Sequence, residues 1–191
     1  MRFFKLLVAC LFLSACIFGT SQNAKFYTLT SEQTAVVSKK CNAFIGVGRV
    51  QLPKYLDRPQ IVTQGKDSPE MVISEYNRWV EAPAVLTTRV LTEDLSALLP
   101  KAQIKMRQNV TEKFDMFVTV EVVKMNAVLS EKAQMEAWFT IKDNTGKLLK
   151  RQKFSSELKI GKSYDDLING YSMLWMQLSK NIAEHLAKSI S

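Results

Sequence analysis

Hydrophobic and polar residues alternate along this chain with two different periods, and the switches between them mark its elements. Met135, Ala137, Phe139 and Ile141 are separated by single polar or amphipathic positions, Glu136, Trp138 and Thr140, with Gln134 and Lys142 at either end. A period of two belongs to a strand with one dry and one wet face. Just upstream, Val118, Val120 and Val122 alternate with Thr119 and Glu121. Asp143-Asn144-Thr145-Gly146 is turn chemistry, and another strand is predicted over residues 147–158. Three successive strands on short loops predict an antiparallel meander with one face wet. Leu167, Tyr171, Leu174, Leu178, Ile182 and Leu186 recur instead at spacings of three and four, the stripe of a long amphipathic helix. A second helix is predicted from Pro83 through Ala84, Thr88, Leu91, Leu95 and Leu98, ended by Pro100.

The remaining pattern is weaker. Residues 25–29 predict a short first strand and residues 30–42 a polar loop. Residues 44–52 predict a strand stopped at Pro53, in which Gly46 and Gly48 weaken the pairing or mark a close backbone approach. Residues 61–64 and 71–76 flank Gly65-Lys66-Asp67-Ser68-Pro69 and predict a hairpin. The whole predicts one α/β domain, a mixed, largely antiparallel sheet packed by two long amphipathic helices.

Composition narrows the class. With 191 residues, 47% hydrophobic, and only 7 Gly and 5 Pro, the chain is neither a disordered tail nor a fibre nor a disulfide-stapled scaffold. No apolar run approaches the ~20 residues of a spanning helix. The first residues are nonetheless distinctive: Met1-Arg2-Phe3-Phe4-Lys5, an apolar stretch over 6–13, then Leu13-Ser14-Ala15-Cys16. A basic start, a short greasy centre and a small-residue end describe a secretory signal. The ending resembles a bacterial lipobox, in which the cysteine is acylated and becomes the mature N-terminus. Leu7-Val8-Ala9-Cys10 fits the same pattern but leaves too short an apolar core ahead of it, so Cys16 is the predicted lipidation site. The competing reading is a cleaved, unlipidated signal or a buried helix. On the lipoprotein reading, residues 1–15 are signal peptide, 16–24 are lipidated cysteine and tether, and 25–191 are a periplasmic α/β domain. Two or more acyl chains hold firmly without a spanning helix. Ile17 rather than Asp at the second mature position favours the outer membrane, by analogy with enteric lipoprotein sorting.

Charge and reactive residues change the picture further. The 26 Lys and Arg against 18 Asp and Glu give +8, and losing Arg2 and Lys5 with the signal leaves +6. Outside the cytoplasm the accessible polyanions are lipid headgroups and acidic proteins, so no nucleic-acid partner is expected. Lys147, Lys150, Arg151, Lys153, Lys159 and Lys162 stand against Glu157 alone, either as a binding patch or as a solvated hairpin whose lysines discourage edge pairing. Cys41 has no partner once Cys10 leaves and Cys16 is acylated; it is read as a small buried hydrophobe, although Lys39 and Lys40 are placed to lower its pKa. Ser163 and Asp166 form a capping box, which assigns the Asp165 and Asp166 pair to a helix start rather than to acid–base chemistry. His185, the single histidine, falls near the final turns of the long helix, where a cation suits the C-terminal dipole. No metal spacing, phosphate loop or nucleophile elbow is present, so no catalytic residue, cofactor or metal is expected.

Trp138 lies on the polar side of its strand, where a tryptophan has no core reason to be unless a helix covers that face. It is a candidate partner contact. Pro53 and Pro59 fix φ around Tyr55 and Leu56 in a stiff loop, and Trp79 offers a large apolar face beside the first helix. Tyr55, Leu56 and Trp79 are candidate contacts too, the equal alternative being that this loop covers the edge of the core. Asp57 and Arg58 are read as a pair or as partners for loop backbone.

Residues 50–62, Val-Gln-Leu-Pro-Lys-Tyr-Leu-Asp-Arg-Pro-Gln-Ile-Val, and residues 77–83, Asn-Arg-Trp-Val-Glu-Ala-Pro, run into the predicted helix. With Phe26-Tyr27-Thr28-Leu29 and the lipobox, they resemble the PqiC/YmbA family of auxiliary lipoproteins of ABC-type transport systems. The resemblance implies a non-enzymatic periplasmic domain tethered to the outer membrane, docked on an MCE-domain protein of an ABC transport system. It further implies a role in lipid traffic that supports outer-membrane integrity, and a homo-oligomeric ring. The alternative is a structural or assembly lipoprotein of pilotin type; a periplasmic hydrolase would need a nucleophile and an oriented base that the sequence does not supply.

Overall fold

The two periods become two layers. In the computed structural model, which describes residues 22–31, 35–109 and 111–189, the meander is strands β6 (Met116–Val128), β7 (Lys132–Asp143) and β8 (Leu148–Lys159). They pair antiparallel in sequence order. β2 (Phe44–Val47) adds parallel to β6, and β5 (Gln103–Met106) adds parallel to β2, giving a five-stranded sheet ordered β5-β2-β6-β7-β8. A second sheet of three strands, ordered β1-β4-β3, holds β1 (Lys25–Tyr27), β4 (Met71–Trp79) and β3 (Gln60–Gln64). β3 and β4 are the expected hairpin, and β1 runs parallel to β4.

The predicted helices are α1 (Pro83–Leu98) and α2 (Tyr164–Ser189). Both lie on the dry face of the large sheet, where Val118, Val120, Val122, Met135, Ala137, Phe139 and Ile141 are at most 3% exposed. Leu86, Val90, Leu91, Leu95 and Leu98 of α1 meet the α2 stripe, including fully buried Trp175, across this layer. The capping box forms as read: the Ser163 hydroxyl accepts from the Asp166 N–H at 3.1 Å, and Asp166 Oδ2 accepts from the Ser163 N–H at 3.0 Å.

Three features depart from the sequence pattern. The strands form two sheets rather than one. β5, within a stretch given no element, is a four-residue edge strand whose side chains are exposed or half-buried, too short to show a period. β2 ends at Val47, short of residue 52: the Gly48 N–H still bonds Val118 O, but beyond it pairing with β6 resumes only as an isolated parallel bridge, the Gln51 N–H donating to Val120 O and the Val122 N–H to Gln51 O. Gly46 has the close approach its presence implied, since a Cβ there would meet the Phe114 ring at 2.8 Å.

Candidate functional site

The two sequence stretches singled out on either side of β3 and β4 are brought together. The Leu56 and Asp57 N–H groups both donate to Pro53 O, at 2.9 and 3.2 Å, closing a tight turn, and the Trp79 N–H donates to Pro59 O at 2.8 Å. Asp57 Oδ1 accepts from the Ala84 N–H at 3.3 Å, so the loop supplies a carboxylate to the first turn of α1, whose own N-cap position, Ala82, has no side-chain acceptor. Arg58 does not pair with Asp57; its Nε donates to Gln60 Oε1 at 3.2 Å.

Burial separates the four candidate contacts. Leu56 and Trp79 are 6% and 7% exposed and belong to the core cluster. In this chain they fasten the loop to the core edge instead of offering a surface, because the turn at Pro53 rolls Leu56 inward and register with β1 aims Trp79 at the core. Tyr55 stays 37% exposed, its hydroxyl donating to Asn126 Oδ1 at 2.9 Å.

Trp138 sits on the face of the five-stranded sheet that the helices leave open. It is half-buried, directly opposite Glu121 on β6 and Lys153 on β7's other neighbour, β8. The Arg151 guanidinium lies 5.1 Å from the centre of its ring, a cation–π arrangement over the indole. Beside it, a shallow groove of about 190 Å³ is lined by Gln51, Thr119, Glu121, Thr140 and Arg151. A larger groove of about 1000 Å³ opens toward the β7–β8 turn, with Lys142, Asn144 and Phe117 in its walls. Arg107 stacks there 4.8 Å from the Phe117 ring.

One lysine of the β8 run is paired across the strand, Lys153 Nζ lying 2.6 Å from Glu136 Oε2, while Glu157 of β8 turns to Lys132 of β7, its Oε2 2.9 Å from Nζ. That pattern fits the solvated-hairpin reading of the lysines.

The reactive inventory is quiet. Cys41 is 2% exposed, and burial pushes its thiol up, so any pull from Lys39 and Lys40 is outweighed. His185 is not held as a cation. Burial, then Lys150 and Lys188, press its imidazole below its ordinary value, and it packs 5.7 Å from the Phe139 ring. Sequence reading missed Asp94, which is 1% exposed on α1 and accepts from the Ser31 hydroxyl at 2.5 Å. Its place on the apolar side of α1 was the available signal. Among the described residues no group of His, Cys, Asp and Glu could hold a metal ion, and no helix is long and apolar enough to cross a membrane. Cys16 lies outside the described residues.

Comparison with known proteins adds a family. The model of the ABC-type transport auxiliary lipoprotein component family matches residues 27–183. A crystal structure of an uncharacterized protein is similar at 23% identity with a TM-score of 0.71, covering 89% of this chain and 100% of that one. A crystal structure of a Xanthomonas campestris protein is similar at 12% identity with a TM-score of 0.67, covering 84% and 93%. At such identities the two structures speak for the fold alone. No curated protein matches the chain.

Proposed function

Because this chain belongs to the ABC-type transport auxiliary lipoprotein component family, we propose that it is a non-catalytic subunit, anchored by lipid at Cys16 to the periplasmic face of the outer membrane. In this reading it docks on an MCE-domain protein of an ABC transport system and supports lipid movement between membranes. The family match over most of the chain carries the reading. The lipobox adds the anchor.

Mechanistically, anchoring and docking are separate tasks given to separate parts. The acyl chains hold the N-terminus at the bilayer. The large sheet, stiffened on one side by both helices, presents Trp138 and Arg151 on its open side, and the loop before β3 holds Tyr55 against Asn126 of β6. A tryptophan paired with an arginine is the residue type that concentrates binding energy at contacts. Removing the Trp138 ring is therefore expected to weaken partner binding while leaving the fold in place, since the ring is only half-buried.

The test is affinity purification of the full chain from detergent-solubilised membranes. Co-purification of an MCE-domain protein, lost in Trp138→Ala at unchanged thermal stability, supports the reading. Recovery of a secretin or porin in its place supports the assembly role and overturns this one.

A further inference from the structure

The outer side of the small sheet carries a second patch. In the parallel register of β1 and β4, Phe26 lies opposite Arg78. Phe26 is 64% exposed although it is a large aromatic. Gln60 of β3 lies opposite Arg78 and accepts from Arg58 Nε, which brings a second guanidinium onto this side. An exposed aromatic ring beside two arginines forms an amphipathic, cationic surface. An aromatic ring and arginines in that combination suit the boundary between headgroups and acyl chains of an anionic bilayer.

Chain length says which surface this patch can meet. Residues 17–24 separate Cys16 from β1 and span roughly 27 Å when fully extended. The opposite end of the domain is out of that reach. Tyr27 lies 6.4 Å from Tyr164 at the start of α2, just past the end of β8. From there β8 runs eleven residues back to Leu148, about 36 Å at strand rise. An anchor at Cys16 therefore confines the β1 end to that distance from the membrane, whereas the β7–β8 turn is not so confined.

We infer that the Phe26, Arg78 and Arg58 face rests on the phospholipid surface, fixing the orientation of the domain and turning the β7–β8 turn outward. The inference rests on the lipid anchor of the proposed function. The face acts as a second, weak membrane contact that converts a tether into a defined pose.

The experiment uses the full lipidated chain in vesicles of phosphatidylethanolamine and phosphatidylglycerol with brominated acyl chains. One variant carries Phe26→Trp and another Leu148→Trp, the latter at a position 54% exposed at the far end. Fluorescence is read as the difference from the unsubstituted chain, which removes the contribution of Trp79, Trp138 and Trp175. The expected result is at least a twofold quenching of the position-26 indole and none at position 148. Flotation of the chain with vesicles but no quenching at position 26, or equal quenching at both positions, overturns the inference while leaving the anchor standing. Failure to float overturns both. An indole at position 26 that is blue-shifted without vesicles, in a chain sedimenting as an oligomer, shows that a second copy covers the face and also overturns it.

Discussion

Replacing Gly46 by alanine tests how the open side of the large sheet is held. The added Cβ would stand 2.8 Å from Phe114 Cδ2 and 2.9 Å from Cγ, against an ordinary carbon–carbon contact of about 3.5–4.0 Å. The ring would have to move by most of an ångström. It has little room: Phe114 is 2% exposed, its centroid 4.4 Å from Phe44 and 5.5 Å from Phe117. The backbone cannot retreat either, because Gly46 is paired with Lys105 on one side and Phe117 on the other. Overpacking of this kind costs about 1–3 kcal/mol. Relief of glycine's entropy in a strand returns about 0.5–1 kcal/mol. The net expectation is a loss of up to about 2.5 kcal/mol, read as a fall in Tm of up to roughly 10 °C for a domain of this length. Circular dichroism melts and urea midpoints measure it. Phe114→Ala removes the contacting ring atoms, so the double variant should lose less than the two single losses combined. A rise in Tm for Gly46→Ala, or strict additivity in the double variant, refutes the reasoning.

Other expectations follow from single contacts. Burial raises the Asp94 carboxyl above its ordinary 3.8, although the hydrogen bonds from Ser31 and Ser179 pull it down. The folded state therefore holds a proton more readily than the unfolded one, and stability falls as pH rises through the window above 3.8. Asp94→Asn, which keeps an acceptor for Ser31, should melt higher at pH 7 than the parent and lose that pH dependence. A lower melting point at pH 7 would show that the ionised form is the stabilising one. Ser163→Ala removes the acceptor of the α2 capping box and should cost about 1 kcal/mol, a drop of roughly 2–4 °C in Tm; no change would mean the helix start is held by packing alone. His185, pressed toward its neutral form, should make stability fall as pH drops below its ordinary 6.5, and His185→Gln should flatten that part of the curve.

The long elements were legible because their periods run for many residues. β6, β7, β8 and both helices repeat an apolar position often enough to fix type and face, and Pro83, Pro100 and the Ser163–Asp166 pair punctuate them. β5 was not legible, for four residues at a sheet edge carry no period. The parallel pairing of β2 with β5 and β6 depends on a crossover through α1, which no local pattern encodes. Within the candidate site, Trp138 was readable as a tryptophan on a wet face, but its cation–π contact with Arg151 required the register of β7 and β8. Leu56 and Trp79 illustrate the opposite limit. Their stretches are recognisable along the chain, yet whether they face a partner or the core is decided by a turn at Pro53 and, for Trp79, by its pairing with Tyr27 in the distant strand β1. Asp57 shows the same logic, its purpose visible only once α1 arrives beside it.

The account stands or falls on the chemistry of one sulfur atom, at Cys16. Intact-mass spectrometry of the mature protein extracted from membranes is the direct measurement. A chain beginning at Cys16, heavier than its polypeptide by a diacylglyceryl group and an amide-linked acyl chain, is the predicted result. An unmodified cysteine, or a mature terminus at any other residue, would contradict it.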